Sequence, residues 1–321
     1  MENNTSALDP LMNAIFTTPG TEASFTIRKT AIPVPAPHEA LIKVNAFSLN
    51  QGETRTALAA TGCYTPGWDF AGVIVKAATN GSTPPAGTRV FGYIAKGSWA
   101  EYLACPGGLM AEIPEAITAA QAACLPIAGM TALACLGASG DIKDQRVLIT
   151  GASGGVGRFA CQIAAMAGAK VFAVSSRAEL AQQLEKEGLT ATTIFSNIHT
   201  AKAAGEYDIV WDAVGGDTLA TALSALARNG CGVNYGNSSR QPTSLEVRAT
   251  GWPLHNIRCV WLGREPLYPS TPLLEKLAEM VTAGKLLLPI DSELPWTRIV
   301  YAAQLLLQQR VNGKLVMHIT E

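Results

Sequence analysis

The rhythm of apolar and polar positions changes once along the chain. Up to about residue 116 the apolar residues come in short runs, which predicts strands over 12–16, 24–29 and 40–47. In the third run, Ala40-Leu41-Ile42-Lys43-Val44-Asn45-Ala46, much of the sequence alternates as in a half-buried strand. Pro33, Pro35 and Pro37 make the link before it extended. A loop carrying Asn50, Gln51, Gly52 and Glu53 follows, then a short helix through Ala60 and a turn from Tyr64 that runs into a strand reaching Val75. Residues 81–87 read as a surface turn. Further strands are predicted over 89–93 and 98–103, and the β-rich stretch closes near Ile113-Pro114.

From about residue 118 helical spacing alternates with short apolar strands. Helices are predicted over 118–124, 130–136 and 219–226, and strands over 192–195, 208–213, 231–235 and 255–261. The tail, from about Gly263, predicts helices over 273–283 and 296–309 and a last strand over 314–319. No internal repeat is present.

The most informative stretch is 146–177. Val147-Leu148-Ile149 is too short for a helix and reads as a buried strand. The cluster Gly151, Gly154, Gly155, Gly157 follows, then a helix over 158–167 ending at Gly168, and a second strand over 170–174. Strand, glycine turn, helix and strand make a dinucleotide-binding βαβ unit. Gly154 lets backbone approach a pyrophosphate, Gly157 lets the helix pack closely on the strand, and the free N–H groups at the helix start hold the phosphates. Ala152 stands where the usual fingerprint has its first glycine, so the strict G-x-G-x-x-G is not met. A tight turn without a ligand is the competing reading, and the strand and helix on either side favour nucleotide binding.

The end of the second strand addresses which nucleotide. An NAD site places an acid there for the ribose 2′-hydroxyl. This chain has Ser175, Ser176 and Arg177, with no acid until Glu179. Two hydroxyls and a guanidinium fork suit a 2′-phosphate. NADPH is therefore the expected cofactor, against the alternative that Arg177 is a solvated residue at a helix start.

Composition narrows the class. The chain has 321 residues, long for one core, so two domains are expected. It is 48% hydrophobic and 15% charged with a net charge of −1, which gives no electrostatic reason to expect nucleic acid or an anionic membrane as partner. No stretch approaches the ~20 apolar residues of a membrane span, and Met1 to Pro10 lacks the regions of an export signal. A cytoplasmic location is the expectation. The cysteines (63, 105, 124, 135, 161, 231 and 259) are odd in number and scattered, with no C-x-x-C pair; most read as small core residues. His38, His199, His255 and His318 have no neighbour at coordinating spacing, so no metal is expected.

With these residues in hand the chain resembles the medium-chain dehydrogenase/reductase superfamily, in its zinc-independent NADPH:quinone reductase branch. The motifs run through most of the chain in order. They are Gly67-Trp68-Asp69-Phe70-Ala71-Gly72-Val73, then Leu125-Pro126 with Gly129-Met130-Thr131-Ala132, then the Ala152–Gly157 turn. Asp208, Asp212 and Val214-Gly215-Gly216 follow, then Tyr235-Gly236-Asn237-Ser238-Ser239, and finally Arg310 with Gly313-Lys314-Leu315-Val316. The resemblance implies an α/β fold: a Rossmann doubly wound parallel sheet domain (118–262) plus a β-rich GroES-like domain built from both chain ends (1–117 and 263–321), with the active site in the cleft between them. Zinc-dependent relatives use a Cys after the third strand and a His in G-H-E. Here the segments read Ser48-Leu49-Asn50-Gln51 and Gly67-Trp68-Asp69, and the four-cysteine structural lobe is missing. Without that Lewis acid, alcohol oxidation is disfavoured.

What the resemblance implies for chemistry is hydride transfer from NADPH to a quinone or an α,β-unsaturated carbonyl. Asn50 and Tyr64 would line the acceptor side and carry the catalytic roles. Thr131, Tyr235, Gly236 and Asn237 would place the nicotinamide, Ala152, Ser153, Gly154, Gly155 and Val156 the pyrophosphate, and Ser175, Ser176 and Arg177 the 2′-phosphate. Ser196 stands where the family often has a Tyr. Tyr64 is a candidate proton donor, although a phenol with pKa about 10 needs help from a neighbour and solvent is the alternative donor. Gln51 to Ala60 lacks the Tyr of enoyl-thioester reductases. His255, Trp68, Trp252 and Trp261 read as structural. The segment 255–263 corresponds to an edge strand that pairs across a two-fold axis, so a homodimer is expected. The other class weighed is a nucleotide-binding redox sensor without turnover, favoured by the lack of an identifiable acid–base residue.

Overall fold

The computed structural model describes residues 10–20, 24–245, 256–262 and 269–320. The chain opens with β1 (Leu11–Thr17), β2 (Phe25–Ala31), β3 (Glu39–Ser48), α1 (Gln51–Leu58), β4 (Asp69–Lys76), β5 (Arg89–Tyr93), β6 (Tyr102–Pro106) and β7 (Met110–Glu112). The middle holds α2 (Ala119–Ala123), α3 (Pro126–Ser139), β8 (Arg146–Thr150), α4 (Gly155–Met166), β9 (Lys170–Val174), α5 (Leu180–Lys186) and β10 (Thr193–Phe195). It continues through α6 (Ile198–Ala203), β11 (Tyr207–Asp212), α7 (Gly216–Leu223), β12 (Leu226–Asn234) and β13 (Asn256–Cys259). The end supplies α8 (Thr271–Thr282), β14 (Ile290–Pro295), α9 (Ile299–Leu307) and β15 (Lys314–His318).

The middle strands form one parallel sheet in the order β10-β9-β8-β11-β12-β13. This is the doubly wound Rossmann order, with the switch point beside β8. Val147, Leu148 and Ile149 on β8 are wholly buried because helices cover both faces, hence the unbroken apolar run. The remaining strands make a hairpin, β1 on β2, and a sheet ordered β14-β15-β3-β4-β5-β7 with β6 also on β3. Both chain ends therefore share one sheet. Trp99 anchors its outer side, wholly buried between the rings of Phe25 and Phe47 at 5.5 and 5.8 Å.

Several element boundaries differ from the sequence expectation. The strand expected over 98–103 starts at Tyr102, because Ser98 and Trp99 sit in a turn that folds back onto Pro66 and Gly67. The helix expected over 130–136 begins at Pro126: the proline serves as its first residue, where no N–H is needed. The helix expected over 158–167 begins at Gly155. Leu226, expected at a helix end, is the first residue of β12 and pairs with Tyr207. β12 thus starts before Cys231, with a register shift against β11 and Asn229 at φ 66°. The short helices α5 and α6 were not expected; each buries only two residues, Leu180 and Leu184 or Ile198 and Ala201. Nor was β14, a polar edge strand ending in Pro295. His255, Trp252 and Gly263 lie outside the described residues. No helix among the described residues is long and apolar enough to cross a membrane.

Candidate active site

The two sheets meet where the glycine turn faces the closing strand, and Gly154 forms a parallel bridge with Gly313. α4 starts at Gly155 with Gly154 as its N-cap and no side chain capping it, the kind of helix start at which N–H groups can receive an anion. The glycines have distinct duties. A Cβ on Gly154 would meet only Gly151 O, at 3.3 Å, which leaves the space above the turn open. On Gly157 it would strike Gly151 O at 2.3 Å, so this glycine sets how closely α4 packs on β8. On Gly155 it would lie 2.7 Å from Lys314 Cδ. That glycine makes room for a lysine from the far end of the chain. Ala152 is wholly buried, Ser153 nearly so, and Val156 packs at the core's edge.

Beyond the turn, the carboxyl ends of β8, β11 and β12 are tied through Asp212. Its carboxylate accepts from Thr150 Oγ1 at 2.5 Å, Gly215 N at 2.8 Å and Asn234 Nδ2 at 2.9 Å. Burial raises the Asp212 pKa, and these donors oppose the shift. Asn234 also donates to Gly236 O at 2.8 Å, which fixes the loop holding Tyr235, Gly236 and Asn237. Tyr235 Oη approaches Thr150 O at 3.4 Å, and Thr131 Oγ1 donates to Ile127 O at 2.6 Å. The fold thus brings the residues expected around a nicotinamide to the ends of neighbouring elements.

At the end of β9, Ser175 Oγ donates to Ser153 Oγ at 3.1 Å and accepts Arg177 N at 3.1 Å. Ser176 is exposed. Arg177 is not a solvated helix-start residue. Its guanidinium donates to Val311 O at 2.6 Å, to Asn312 Oδ1 and to Gln309 O. Burial lowers its pKa, and the nearby charges of Asp291 and Glu179 push back. Ser196 is exposed and accepts from Asn197 Nδ2 at 3.3 Å.

The acceptor side is organised by a buried cluster that sequence reasoning did not assemble. Asn50 caps α1, and Glu53, three residues on, completes a capping box. Asn50 Nδ2 donates to Asp69 Oδ2 at 2.8 Å and to Glu53 Oε1 at 3.1 Å, while Asn50 Oδ1 accepts from Lys314 Nζ at 2.7 Å. Both amide donors therefore point inward, so this side chain positions its neighbours instead of donating to an acceptor. Lys314 also donates to Leu49 O at 3.2 Å and Asp69 Oδ2 at 3.3 Å. Ser48 Oγ donates to Asp69 Oδ2 at 2.7 Å. Asp69 Oδ1 accepts Ile127 N at 2.9 Å, at the start of the helix that carries Thr131. Glu53 Oε2 accepts Trp68 N at 2.5 Å. Burial, then the charge of Asp69, push the Glu53 pKa up to about 8, against the Asn50 and Trp68 N–H groups and Lys314. The phenol of Tyr64 is half-buried, and its pKa rises through burial and the charge of Glu53.

Arg55, on the next turn of α1, crosses to the opposite sheet. It donates to Asn237 O at 2.9 Å and Ser238 O at 3.2 Å, braced by Gln51 Oε1 at 2.8 Å. The N-x-x-E spacing was a readable signal for Glu53. Nothing local marks Arg55, and Lys314, visible in the sequence only within the closing motif, gives no sign of its partners; these lie 182 and 264 residues away.

Comparison with known proteins matches this arrangement to two family models. The alcohol dehydrogenase GroES-like domain covers residues 36–115 and the zinc-binding dehydrogenase model covers 155–278. Quinone oxidoreductase of Sus scrofa is 31% identical over 85% of this chain and 86% of its own length. NAD(P)H oxidoreductase RTN4IP1, mitochondrial, of Mus musculus is 27% identical over 88% of this chain and 82% of its own. The solved quinone oxidoreductase from Coxiella burnetii superposes with a TM-score of 0.84 at 25% identity, covering 97% of this chain and all of that one. A GroES-like β sheet joined to a Rossmann sheet, with a glycine turn at their junction, defines a nicotinamide-dependent oxidoreductase. The chain belongs to the medium-chain dehydrogenase/reductase superfamily, in the quinone oxidoreductase-like branch.

The zinc in one model's description does not fit this donor set. The side chains at the expected ligand segments are those of Asn50 and Trp68, and Asp69 is committed to Lys314, Ser48, Asn50 and Ile127. Among the described residues no group of three His, Cys, Asp or Glu could hold a metal ion. A dinucleotide does fit: the turn at Gly154 leaves open space, and the start of α4 has no side-chain cap.

Proposed function

We propose that the protein transfers hydride from NADPH to a quinone or an α,β-unsaturated carbonyl without a metal. The observation that carries this is the pairing of an open phosphate turn with an acceptor side whose polar groups form a closed internal network. When bound, the cofactor supplies the hydride itself.

The chain's own residues bind, orient and exclude water. The N–H groups at the start of α4, with Ala152 to Val156, hold the pyrophosphate, and Ser175, Ser176 and Arg177 serve the 2′-phosphate. Tyr235, Gly236 and Asn237, with Thr131, fix the nicotinamide plane, and Arg55 keeps their loop against α1. Asn50, held by Lys314, Asp69 and Glu53, fixes the floor of the acceptor side. Tyr64 is protonated at neutral pH as any phenol is, and burial and the charge of Glu53 push its pKa further up, so it offers an O–H hydrogen bond to the acceptor oxygen and not a proton. Reduced quinone takes its protons from water, so no dedicated acid is required. Pairing through the exposed strand β13 is proposed to make a homodimer.

The test is consumption of NADPH and NADH, followed by absorbance, across quinones and α,β-unsaturated ketones and aldehydes. Faster turnover with NADPH supports the reading. Tight NADPH binding with no turnover on the whole panel would sink it.

A further inference from the structure

We propose that Asn312 sets cofactor choice. With the Gln309 and Val311 carbonyls it competes with the 2′-phosphate of NADPH for the Arg177 guanidinium. The inference rests on the NADPH reading above and concerns how that site is gated.

Arg177 stands at the end of β9, where a 2′-phosphate would be selected, yet three of its five N–H groups, both on Nη1 and one on Nη2, are already spoken for. They donate to Gln309 O, Val311 O and Asn312 Oδ1, residues 132 to 135 positions later in the chain. The receiving turn is the end of α9. Gln309 adopts φ 56°, and the Gln309 and Arg310 N–H groups close back on Leu306 O and Leu305 O at 3.1 and 2.9 Å. The carbonyls beyond them lie at the negative end of the helix, where a cation is favoured. Arg177 therefore clasps a helix end, and its positive charge is shared with the nearby Asp291 and Glu179.

A phosphate dianion is a stronger acceptor than a carbonyl or an amide oxygen. To be held by both terminal nitrogens it must still draw the two Nη1 N–H groups away from Val311 O and Asn312 Oδ1. NADH makes no such demand and binds with the clasp shut. The clasp thus taxes NADPH alone, because affinity falls by the fraction of protein with the guanidinium free. Among the three acceptors in the turn only Asn312 is a side chain, so it can be altered without disturbing the backbone. The next residue, Gly313, bridges to Gly154 of the phosphate turn, so opening the clasp is felt where the pyrophosphate binds.

The experiment is titration of the full chain with NADPH and with NADH, followed by nicotinamide fluorescence. Asn312→Ala removes one neutral competitor and is expected to tighten NADPH about five-fold while leaving NADH unchanged, as the net worth of one such hydrogen bond implies. Asn312→Asp locks the clasp with a charge and is expected to weaken NADPH, again without effect on NADH. Amide exchange over 309–313 should quicken on adding NADPH and not on adding NADH. Equal changes for both nucleotides, or none, would overturn the competition. Arg177→Ala separates the two levels of the argument. If it lowers NADPH affinity while Asn312→Ala changes nothing, the 2′-phosphate site stands and the clasp idea fails. If the parent binds both nucleotides equally and Arg177→Ala leaves NADPH untouched, the site reading fails and takes this inference with it.

Discussion

Lys314 Nζ donates to Asn50 Oδ1 at 2.7 Å, joining residues 264 positions apart. The ammonium is buried and faces the Asp69 carboxylate, with Glu53 just beyond Asn50. Replacing Lys314 with Met would leave Asp69 buried without its cation. Removing one partner of a buried pair costs about 3–5 kcal/mol, so Lys314→Met should lower the unfolding free energy by that much and move the denaturant midpoint down. A midpoint unchanged from the parent would show that the pair contributes nothing to stability.

The Glu53 carboxyl makes stability depend on pH. Its folded pKa, raised from 4.5 to about 8, means that the folded state holds a proton which the unfolded state has lost between these values. The resulting stability is fully present below 4.5 and is lost as pH rises to about 8, at up to about 1.4 kcal/mol per pH unit for one proton. Unfolding free energy measured from pH 5 to 8 should fall for the parent and fall less for Glu53→Gln. Parallel slopes for the two proteins would assign the pH dependence to other groups.

Gly154 and Gly157 should fail in different ways when changed to Ala. A methyl on Gly157 meets backbone at 2.3 Å, so α4 must lift from β8 and the melting temperature should drop. A methyl on Gly154 meets nothing closer than 3.3 Å, and its φ of −79° suits alanine. Gly154→Ala should melt like the parent and lose most of its NAD(P)H affinity, because the methyl fills the space proposed for the pyrophosphate. Titration beside a thermal melt checks both variants.

Arg55→Ala removes the donors to Asn237 O and Ser238 O. The loop proposed to hold the nicotinamide then loses its tie to α1 and keeps those to its own sheet, among them Asn234 Nδ2 to Gly236 O and the Ser238 and Ser239 N–H groups to Ala213 O and Val214 O. The expected outcome is a KM for the reduced nucleotide raised about ten-fold, with the fold retained, for the loss of a charged hydrogen-bonding group. An unchanged KM would place this loop away from the nucleotide.

Strand β13 is exposed along its length, with Ile257 among its residues and Trp261 just beyond it 63% exposed. If this edge pairs two copies, Ile257→Asp should convert a dimer to a monomer by light scattering. A monomeric parent would refute the pairing.

The cofactor half was readable because its logic is local: β8, the glycine turn, α4 and β9 follow one another within thirty residues, and each shows its own period. The acceptor half was readable as a motif and not as an arrangement. Asn50 looked free to meet a substrate, but its amide is turned inward by Lys314, and no pattern around residue 50 announces a lysine from the last strand. Arg177 was singled out for a phosphate by its position, while its engagement with 309–312 depends on the way the closing segment folds back. Strand β14 escaped because its half-buried face carries only Ile290 and Leu294 with Ser292 between them, too weak an alternation to stand out from a loop.

The closing strand also ties distant parts of the chain into one sheet. Val316, Met317 and His318 pair with Ser48, Phe47 and Ala46, so the sheet begun near residue 39 is completed by the closing strand. Every strand of the Rossmann sheet lies between Arg146 and Cys259 and can pair earlier. Strands β3 to β7 likewise pair among themselves within residues 39–112, so the closing strand adds to a sheet already laid down. That last pairing is the most non-local in the fold's β-rich sheet, and its loop-closure cost makes it the step expected to limit the rate of folding.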